Sequence, residues 1–169
     1  METNTQRQLV AQKYQGARAN LLMMILFTLV NIVIAFTPAN VMMLFSATVP
    51  YYAVIFGLED PTKLLLVPCI LVAVIVLVVY FLCWLLSKRS PVWMIIALAM
   101  FALDSAALIG LCIMTQDFSG ILDIIFHGWV LFYLISGVRY GLRLKKLPKE
   151  EALPQEQPQE QVPQELTQE

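Results

Sequence analysis

Four polar side chains interrupt the apolar segments of this chain, and they are its candidates for chemistry. They are Asn31, Asp104, Asp123 and His127. Asp123 and His127 are four residues apart, so on a helix they share one face. Ionisable groups within an apolar membrane segment are costly and commonly mark a site for a proton, an ion or a ligand. These four residues are therefore the candidate polar site.

Three roles are open to this site. Polar contacts between helices would make it structural. A small polar cavity open to one side would instead hold a proton, a cation or a small polar ligand. Catalysis has no motif behind it, because one histidine and two acids at different depths make a poor zinc site, and no GxSxG, phosphate loop or HExxH occurs. The two aspartates stand in ALDSA and ILDII, which do not match intramembrane aspartyl proteases.

The composition identifies the kind of protein that must position these residues. Of 169 residues, 59% are hydrophobic and 14% are charged, and the net charge is −1. Soluble domains have about 45–50% apolar and about 25% charged residues. A soluble enzyme, a secreted disulfide scaffold and a nucleic-acid binder are therefore poor interpretations. The chain is expected to be an all-α, polytopic membrane protein.

Apolar segments long enough to cross a bilayer occur four times. A crossing needs about 20 apolar residues, and the spans are expected at about residues 20–37, 64–86, 92–114 and 121–142. The short loop Thr115–Gly120 makes the last two spans antiparallel neighbours. Asp104 and His127 are therefore expected to meet, directly or through water.

A fifth apolar segment, Val41–Leu58, is divided by Pro50, and charge decides against its crossing. Lys and Arg accumulate on the cytoplasmic side of a membrane. With four spans and both termini inside, only Lys63 lies outside, whereas a fifth span gives four basic residues inside and seven outside. The basic residues inside are then Arg7, Lys13, Arg18, Lys88, Arg89, Arg139, Arg143, Lys145, Lys146 and Lys149.

Residues 38–63 are expected to form an apolar interfacial or re-entrant hairpin on the outer side. Tyr51 and Tyr52 suit the headgroup layer. Deeper positions are open to Met42, Met43, Phe45 and Phe56. The hairpin is either a packed lid or a gate that caps a substrate site.

The two ends of the chain are expected to be cytoplasmic. Residues 1–19 read as an amphipathic segment leading into the first span. Residues 148–169, rich in Pro, Gln and Glu, are expected to be disordered, as a solvated tail or as a docking segment. Before this tail lie the basic residues expected to contact lipid headgroups, Arg139, Arg143, Lys145 and Lys146.

Cysteines and small residues complete the sequence pattern. Cys69, Cys83 and Cys112 all lie in predicted spans, as packed or lipid-facing thiols, and a Cys69–Cys112 disulfide is the alternative. Small residues recur every fourth position, which permits close helix packing within one chain or between two copies. They are Ala102, Ala106 and Gly110 in the third span, and Gly137 and Gly141 in the fourth.

Three stretches carry a resemblance. They are FSATVPYY (residues 45–52), FHGWVLFYLISGVRY (126–140) and LKKLP (144–148). Together they resemble a group of short four-span membrane proteins of Gram-positive bacteria, over about residues 20–148. The resemblance implies a bacterial inner-membrane protein, and it supplies no activity and no catalytic residues.

The sequence thus predicts a small integral-membrane accessory protein without enzymatic activity, cofactor or metal, working in a larger membrane assembly. Its expected partners are the lipid bilayer and either a second copy or another membrane protein. The alternative is a small transporter or channel subunit whose pathway includes Asp104, His127, Asn31 and Asp123. Asp104→Asn is expected to preserve folding, because a neutral carboxyl group and an amide have similar shapes.

Overall fold

The computed structural model describes residues 2–38, 44–116 and 121–147, and within these ranges the regular structure is helical, without a strand. The helices are α1 (Glu2–Ala35), α2 (Thr48–Glu59), α3 (Leu66–Leu86), α4 (Val92–Thr115) and α5 (Ile121–Lys146). α1, α3, α4 and α5 are long and apolar enough to cross a membrane. The predicted all-α fold with four such helices is confirmed.

The long helices alternate in direction. Side chains in the first half of α1 contact the end of α3, and Gly141 near the end of α5 lies against Pro91 at the start of α4. The start of α1, the end of α3, the start of α4 and the end of α5 therefore share one end of the bundle. We call it the basic end, because it carries Arg7, Lys88, Arg89 and Lys145. α2 packs at the opposite end.

α1 is one continuous helix through the segment expected at the surface and the span expected after it. Its 34 residues reach about 50 Å at 1.5 Å per residue, well beyond the roughly 30 Å hydrocarbon core. Val10, Tyr14 and Ala17 are buried. The first half of α1 therefore packs on the bundle and does not lie apart from it.

The outer faces of the long helices are apolar. The most apolar 18-residue stretch of α3 has a mean hydropathy of 3.1, and only 17% of it is buried inside the protein. Val67, Leu103 and Phe132 are each more than three-fifths exposed. Helices that are apolar on all sides bury those sides in lipid or in protein, so these surfaces are compatible with contact to a bilayer.

Two glycines of α5 bring it against α1. A Cβ at Gly137 would lie 2.8 Å from the Ala17 Cβ, and one at Gly141 would lie 2.8 Å from the Tyr14 ring. This small-residue pair therefore packs within the chain. The stripe on α4 differs, because Ala102 and Ala106 are exposed and nothing lies within 4 Å of a Cβ built at Gly110.

Candidate functional site

α2 begins at a carboxylate that belongs to α4. The Thr48 N–H donates to Asp104 Oδ2 at 2.8 Å, and the Val49 N–H donates to Asp104 Oδ1 at 2.7 Å. The first N–H groups of any helix lack partners within the helix, and the positive end of the helix dipole favours a negative charge. Asp104 thus acts as the N-terminal cap of α2, although it lies 55 residues further along the chain from Val49.

α1 supplies further contacts to the segment that begins α2. The Ala47 N–H donates to Thr28 Oγ1 at 2.8 Å, and Asn31 Nδ2 donates to Ser46 Oγ at 2.8 Å. Pro50 has no N–H to satisfy. Every backbone N–H from Ala47 to Pro50 is therefore either paired with a side chain of another helix or absent.

His127 of α5 completes this arrangement. Its Nδ1 lies 2.9 Å from the carbonyl oxygen of Asp123, so Nδ1 carries a hydrogen and donates. Its Nε2 lies 3.1 Å from Thr48 Oγ1 and 3.2 Å from Asp104 Oδ2. Nε2 thus contacts both the hydroxyl group of Thr48 and the carboxylate of Asp104. The Phe101 ring stacks on the imidazole, with 5.0 Å between the two ring centres.

Asp123 extends the line of titratable groups. Its Oδ1 lies 3.6 Å from His127 Nδ1, and among the described residues this buried oxygen has no hydrogen-bond partner. Asp123, His127 and Asp104 therefore follow one another from the start of α5 to the middle of α4. A buried carboxylate oxygen without a hydrogen-bond partner costs free energy.

The structure brings Asn31, Asp104 and His127 to the start of α2, and Asp123 adjoins His127. Asp104, Asp123 and His127 are each 3% exposed, and Asn31 is fully buried. We call the group formed by Thr28, Asn31, Asp104 and His127, with residues 46–49 that it holds, the polar clamp. It joins α1, α4 and α5 to one short backbone segment.

Sequence reasoning missed three residues of the polar clamp, namely Thr28, Ser46 and Thr48. Two signals for them were present. Thr28 is three residues before Asn31, so the two share a helix face. Ser46 and Thr48 precede Pro50, and hydroxyl residues followed by a proline are typical of a helix start.

The connection into the polar clamp contains a residue with an unusual backbone. Phe45 has a φ of 76°, a conformation that costs a non-glycine residue roughly 1–2 kcal/mol. Its ring packs edge-on against two other rings, with 6.1 Å between the ring centres of Phe45 and Phe27 and 6.0 Å between those of Phe45 and Phe126. These aromatic contacts offset the backbone strain and fix the approach to α2.

α2 lies in the segment expected to form an outer hairpin. Its 12 residues span about 18 Å, which is too short to cross the hydrocarbon core. Val49, Tyr52 and Phe56, spaced as neighbours along one helix face, are 37%, 39% and 62% exposed. Met42 and Met43 of the expected hairpin lie outside the described residues.

A second buried polar network lies at the basic end. Arg18 is 4% exposed, and its guanidinium donates to Ser87 Oγ at 2.7 Å, the Gln15 side chain at 2.9 Å and the Trp84 carbonyl at 3.1 Å. The Tyr14 hydroxyl donates to the Ser87 carbonyl at 2.7 Å. Sequence reasoning counted Arg18 only as an orienting charge and missed this role, which fastens the end of α3 to α1.

The remaining predictions concern the basic residues near the membrane surface, the cysteines and the C-terminal tail. The expected headgroup contacts are all exposed, and they are Arg139, Arg143, Lys145 and Lys146. Cys69, Cys83 and Cys112 are free thiols, so the alternative of a disulfide is not realised. In the described part of the chain, no three His, Cys, Asp or Glu side chains form a group that could hold a metal ion. The predicted tail, 148–169, lies outside the described residues.

Comparison with known proteins adds no relative. No protein-family model matches the chain, and neither a curated protein nor a solved structure matches it at a significant level. Its fold and apolar surface define the class, which is a multi-pass α-helical membrane protein.

Proposed function

We propose that this chain is a small integral-membrane accessory protein without catalytic activity, which holds α2 in place for a membrane partner. The observation that carries this proposal is the polar clamp. Asp104 accepts from two backbone N–H groups and contacts His127, and Thr28 caps the residue before α2. Side chains engaged in this way stabilise a shape and are not available to a substrate.

The exposed face of α2 is the surface we propose for the partner. Phe56 is the most exposed residue of that face, and Tyr52 and Val49 continue it by one turn each. Aromatic residues are enriched both at membrane interfaces and at protein interfaces. Because the polar clamp fixes the first turn of α2, this face is presented in one orientation.

The orientation we propose places the basic end in the cytoplasm of a bacterial cell. Lys and Arg are retained on the cytoplasmic side, and Lys63 is the one described basic residue near the opposite end. The described basic residues near the basic end are Arg7, Lys13, Arg18, Lys88, Arg89, Arg139, Arg143, Lys145 and Lys146. The bacterial inner membrane follows from the sequence resemblance.

Site-specific photocrosslinking tests the role of α2. A photoreactive residue in place of Phe56 should give one discrete protein adduct in membranes of the host cell. Leu103 on α4, which is 74% exposed, is the matched control and should give lipid adducts alone. Tyr52→Ala, combined with the label at position 56, should reduce the protein adduct. Identical adducts from positions 56 and 103 would refute a dedicated surface on α2.

Transport of a proton or cation is the second candidate, and Asp123 is the observation that favours it. Its Oδ1 is buried without a partner among the described residues, and His127 and Asp104 continue the line at 3.6 Å and 3.2 Å. Proteoliposomes containing a pH-sensitive dye distinguish the candidates. Transport predicts protein-dependent proton movement that Asp123→Asn abolishes, whereas the accessory role predicts none in either protein.

A further inference from the structure

A cavity of about 380 Å³ opens at the basic end. It lies between the first half of α1, the turn from α3 to α4 and the end of α5. Tyr14, Pro91 and Gly141 form its tightly packed base, since a Cβ at Gly141 would lie 2.8 Å from both Pro91 Cβ and the Tyr14 ring. The volume falls within the roughly 300–1,000 Å³ of small-molecule sites. A defined space with a fixed base thus exists at this end.

Positive charge surrounds this cavity. Arg7, Lys88, Arg89 and Lys145 line it, and none of the described lining residues is acidic. Three separate segments of the chain bring these four charges together. Lys88, Arg89 and Lys145 are exposed like charges around one space, which an anion would neutralise, and guanidinium and ammonium groups bind phosphate oxygens strongly. The lining also includes the hydroxyl group of Ser90, which can donate to the same oxygens. The expected ligand is therefore a phosphate group.

Aromatic residues show the depth at which the cavity lies. Trp84 and Trp93 flank the α3–α4 turn, and Tyr140 lies beside Gly141. The Lys88 ammonium is 5.7 Å from the Trp84 ring centre, and the Lys13 ammonium is 5.3 Å from that of Tyr140. Trp and Tyr settle at the headgroup level of a membrane. The phosphate at this depth belongs to a lipid.

We propose that this basic pocket, defined by Lys88, Arg89 and Lys145, binds the phosphate of an anionic phospholipid headgroup. Basic pockets between helices on the cytoplasmic side are typical sites for such headgroups. The exposed Arg139 and Arg143 attract the same lipids without enclosing them. The pocket is independent of α2 and of any partner bound there.

Native mass spectrometry of the full-length protein in detergent tests the proposal. The probes are phosphatidylglycerol, zwitterionic phosphatidylcholine and inorganic phosphate, each titrated separately and phosphate also in competition. Wild-type protein should retain phosphatidylglycerol over phosphatidylcholine. Lys88→Gln with Arg89→Gln should weaken phosphatidylglycerol binding roughly thirty-fold, since each basic residue contributes about five-fold.

The matched control is Arg139→Gln with Arg143→Gln, which removes the same charge at the same end and leaves the pocket intact. Its phosphatidylglycerol binding should fall clearly less than that of the Lys88 and Arg89 double variant, because Arg139 and Arg143 attract the lipid without enclosing its phosphate. Equal loss in both double variants would overturn the pocket in favour of diffuse surface charge. Full competition by inorganic phosphate would assign the site to the free anion and overturn the lipid. Lys145→Gln, a single exposed change, should weaken binding about five-fold, and an unchanged affinity would also count against the pocket.

Discussion

The two ends of the bundle use charge in opposite ways. In the polar clamp, Asp104 and His127 are each 3% exposed and are satisfied by backbone N–H groups, a hydroxyl group and each other. Around the basic pocket, Lys88 and Arg89 are exposed, and they carry the same sign of charge as the other charged lining residues. Charges that satisfy one another within the protein determine its shape, whereas exposed charges of one sign around an open cavity can bind an anion. The position of a charged residue along the membrane normal therefore does not by itself show whether that residue binds a ligand.

Asp104→Ala should give the largest effect. It removes the cap of α2, leaves the N–H groups of Thr48 and Val49 without their partner and takes away one of the contacts of His127. A buried donor left without a partner costs about 1–3 kcal/mol for each group. We expect most of the variant protein to be lost from the monodisperse peak in size-exclusion chromatography in detergent, with a markedly lower thermal midpoint.

Asp104→Asn and Asp123→Asn sharpen this result as a matched pair. The sequence predicts that Asp104→Asn preserves folding, and the structure adds that it should weaken the cap of α2, because an amide has one oxygen for the two N–H groups from which the carboxylate accepts. We expect a loss of about 1–3 kcal/mol. Asp123→Asn should be close to neutral, since Asp123 Oδ1 has no hydrogen-bond partner among the described residues. Equal stability of the two variants would contradict the capping role of Asp104.

Substitutions of Arg18 and Arg89, which lie at the same end of the bundle, test whether the burial of a charged residue determines its contribution to stability. Arg18→Ala removes hydrogen bonds to Ser87, Gln15 and Trp84 and should lower stability by about 2–3 kcal/mol. Arg89→Ala, at an exposed position of the same end, should change it by less than about 0.5 kcal/mol. Thermal unfolding in detergent gives both values. Similar midpoints for the two variants would remove the distinction between buried and exposed charge.

Gly141→Ala tests the packed base of the basic pocket. The added methyl group would lie 2.8 Å from Pro91 Cβ and from the Tyr14 ring, and overpacking of this kind costs about 1–3 kcal/mol. Gly128→Ala is the control on the same helix, because nothing lies within 4 Å of the Cβ built there. It should raise the thermal midpoint slightly, since alanine is favoured over glycine in a helix by up to about 1 kcal/mol. A destabilised Gly128→Ala would show that glycine serves another purpose in α5.

Asp60, in the turn before α3, should give the smallest effect. The N–H of Leu65 and the Thr62 side chain bind its carboxylate and hold its pKa below the ordinary value of 3.8. A lowered pKa means that the contribution to stability is present above that value and is lost as the pH falls below it. Between pH 7 and 5 wild type and Asp60→Asn should therefore differ by a constant amount, and the difference should shrink below pH 4. A thermal-midpoint difference that grows on acidification would contradict this assignment.

The long helices were largely predictable from the sequence. α4 and α5 begin at Val92 and Ile121, the residues expected from the apolar pattern, because a change from polar to apolar composition marks each boundary. The continuity of α1 was not predictable in this way. Its first half contains a mixture of polar and apolar residues, and only its contacts with α3 and α5 show which of them are buried.

The members of the candidate site were predictable, but their bonding was not. Asp104, Asp123, His127 and Asn31 stand out because acids, histidine and amides are rare in apolar spans. The partners of Asp104 are backbone N–H groups of Thr48 and Val49, and no residue type identifies a backbone partner. Arg18 was missed for a related reason, since an arginine near a membrane boundary has the same identity whether it is exposed or buried.

The sequence alone determined that this chain has four helices long and apolar enough to span a membrane and that its basic residues are unevenly placed, since hydrophobic length and charge placement are properties of the chain that no packing can change. The tertiary structure decided the meaning of the charges. Asp104 meets Val49 across 55 positions of the chain, and the residues that line the basic pocket come from three separate segments. Whether a charge is satisfied within the protein or left open to a ligand depends on distances in space, and those are fixed only when the helices pack.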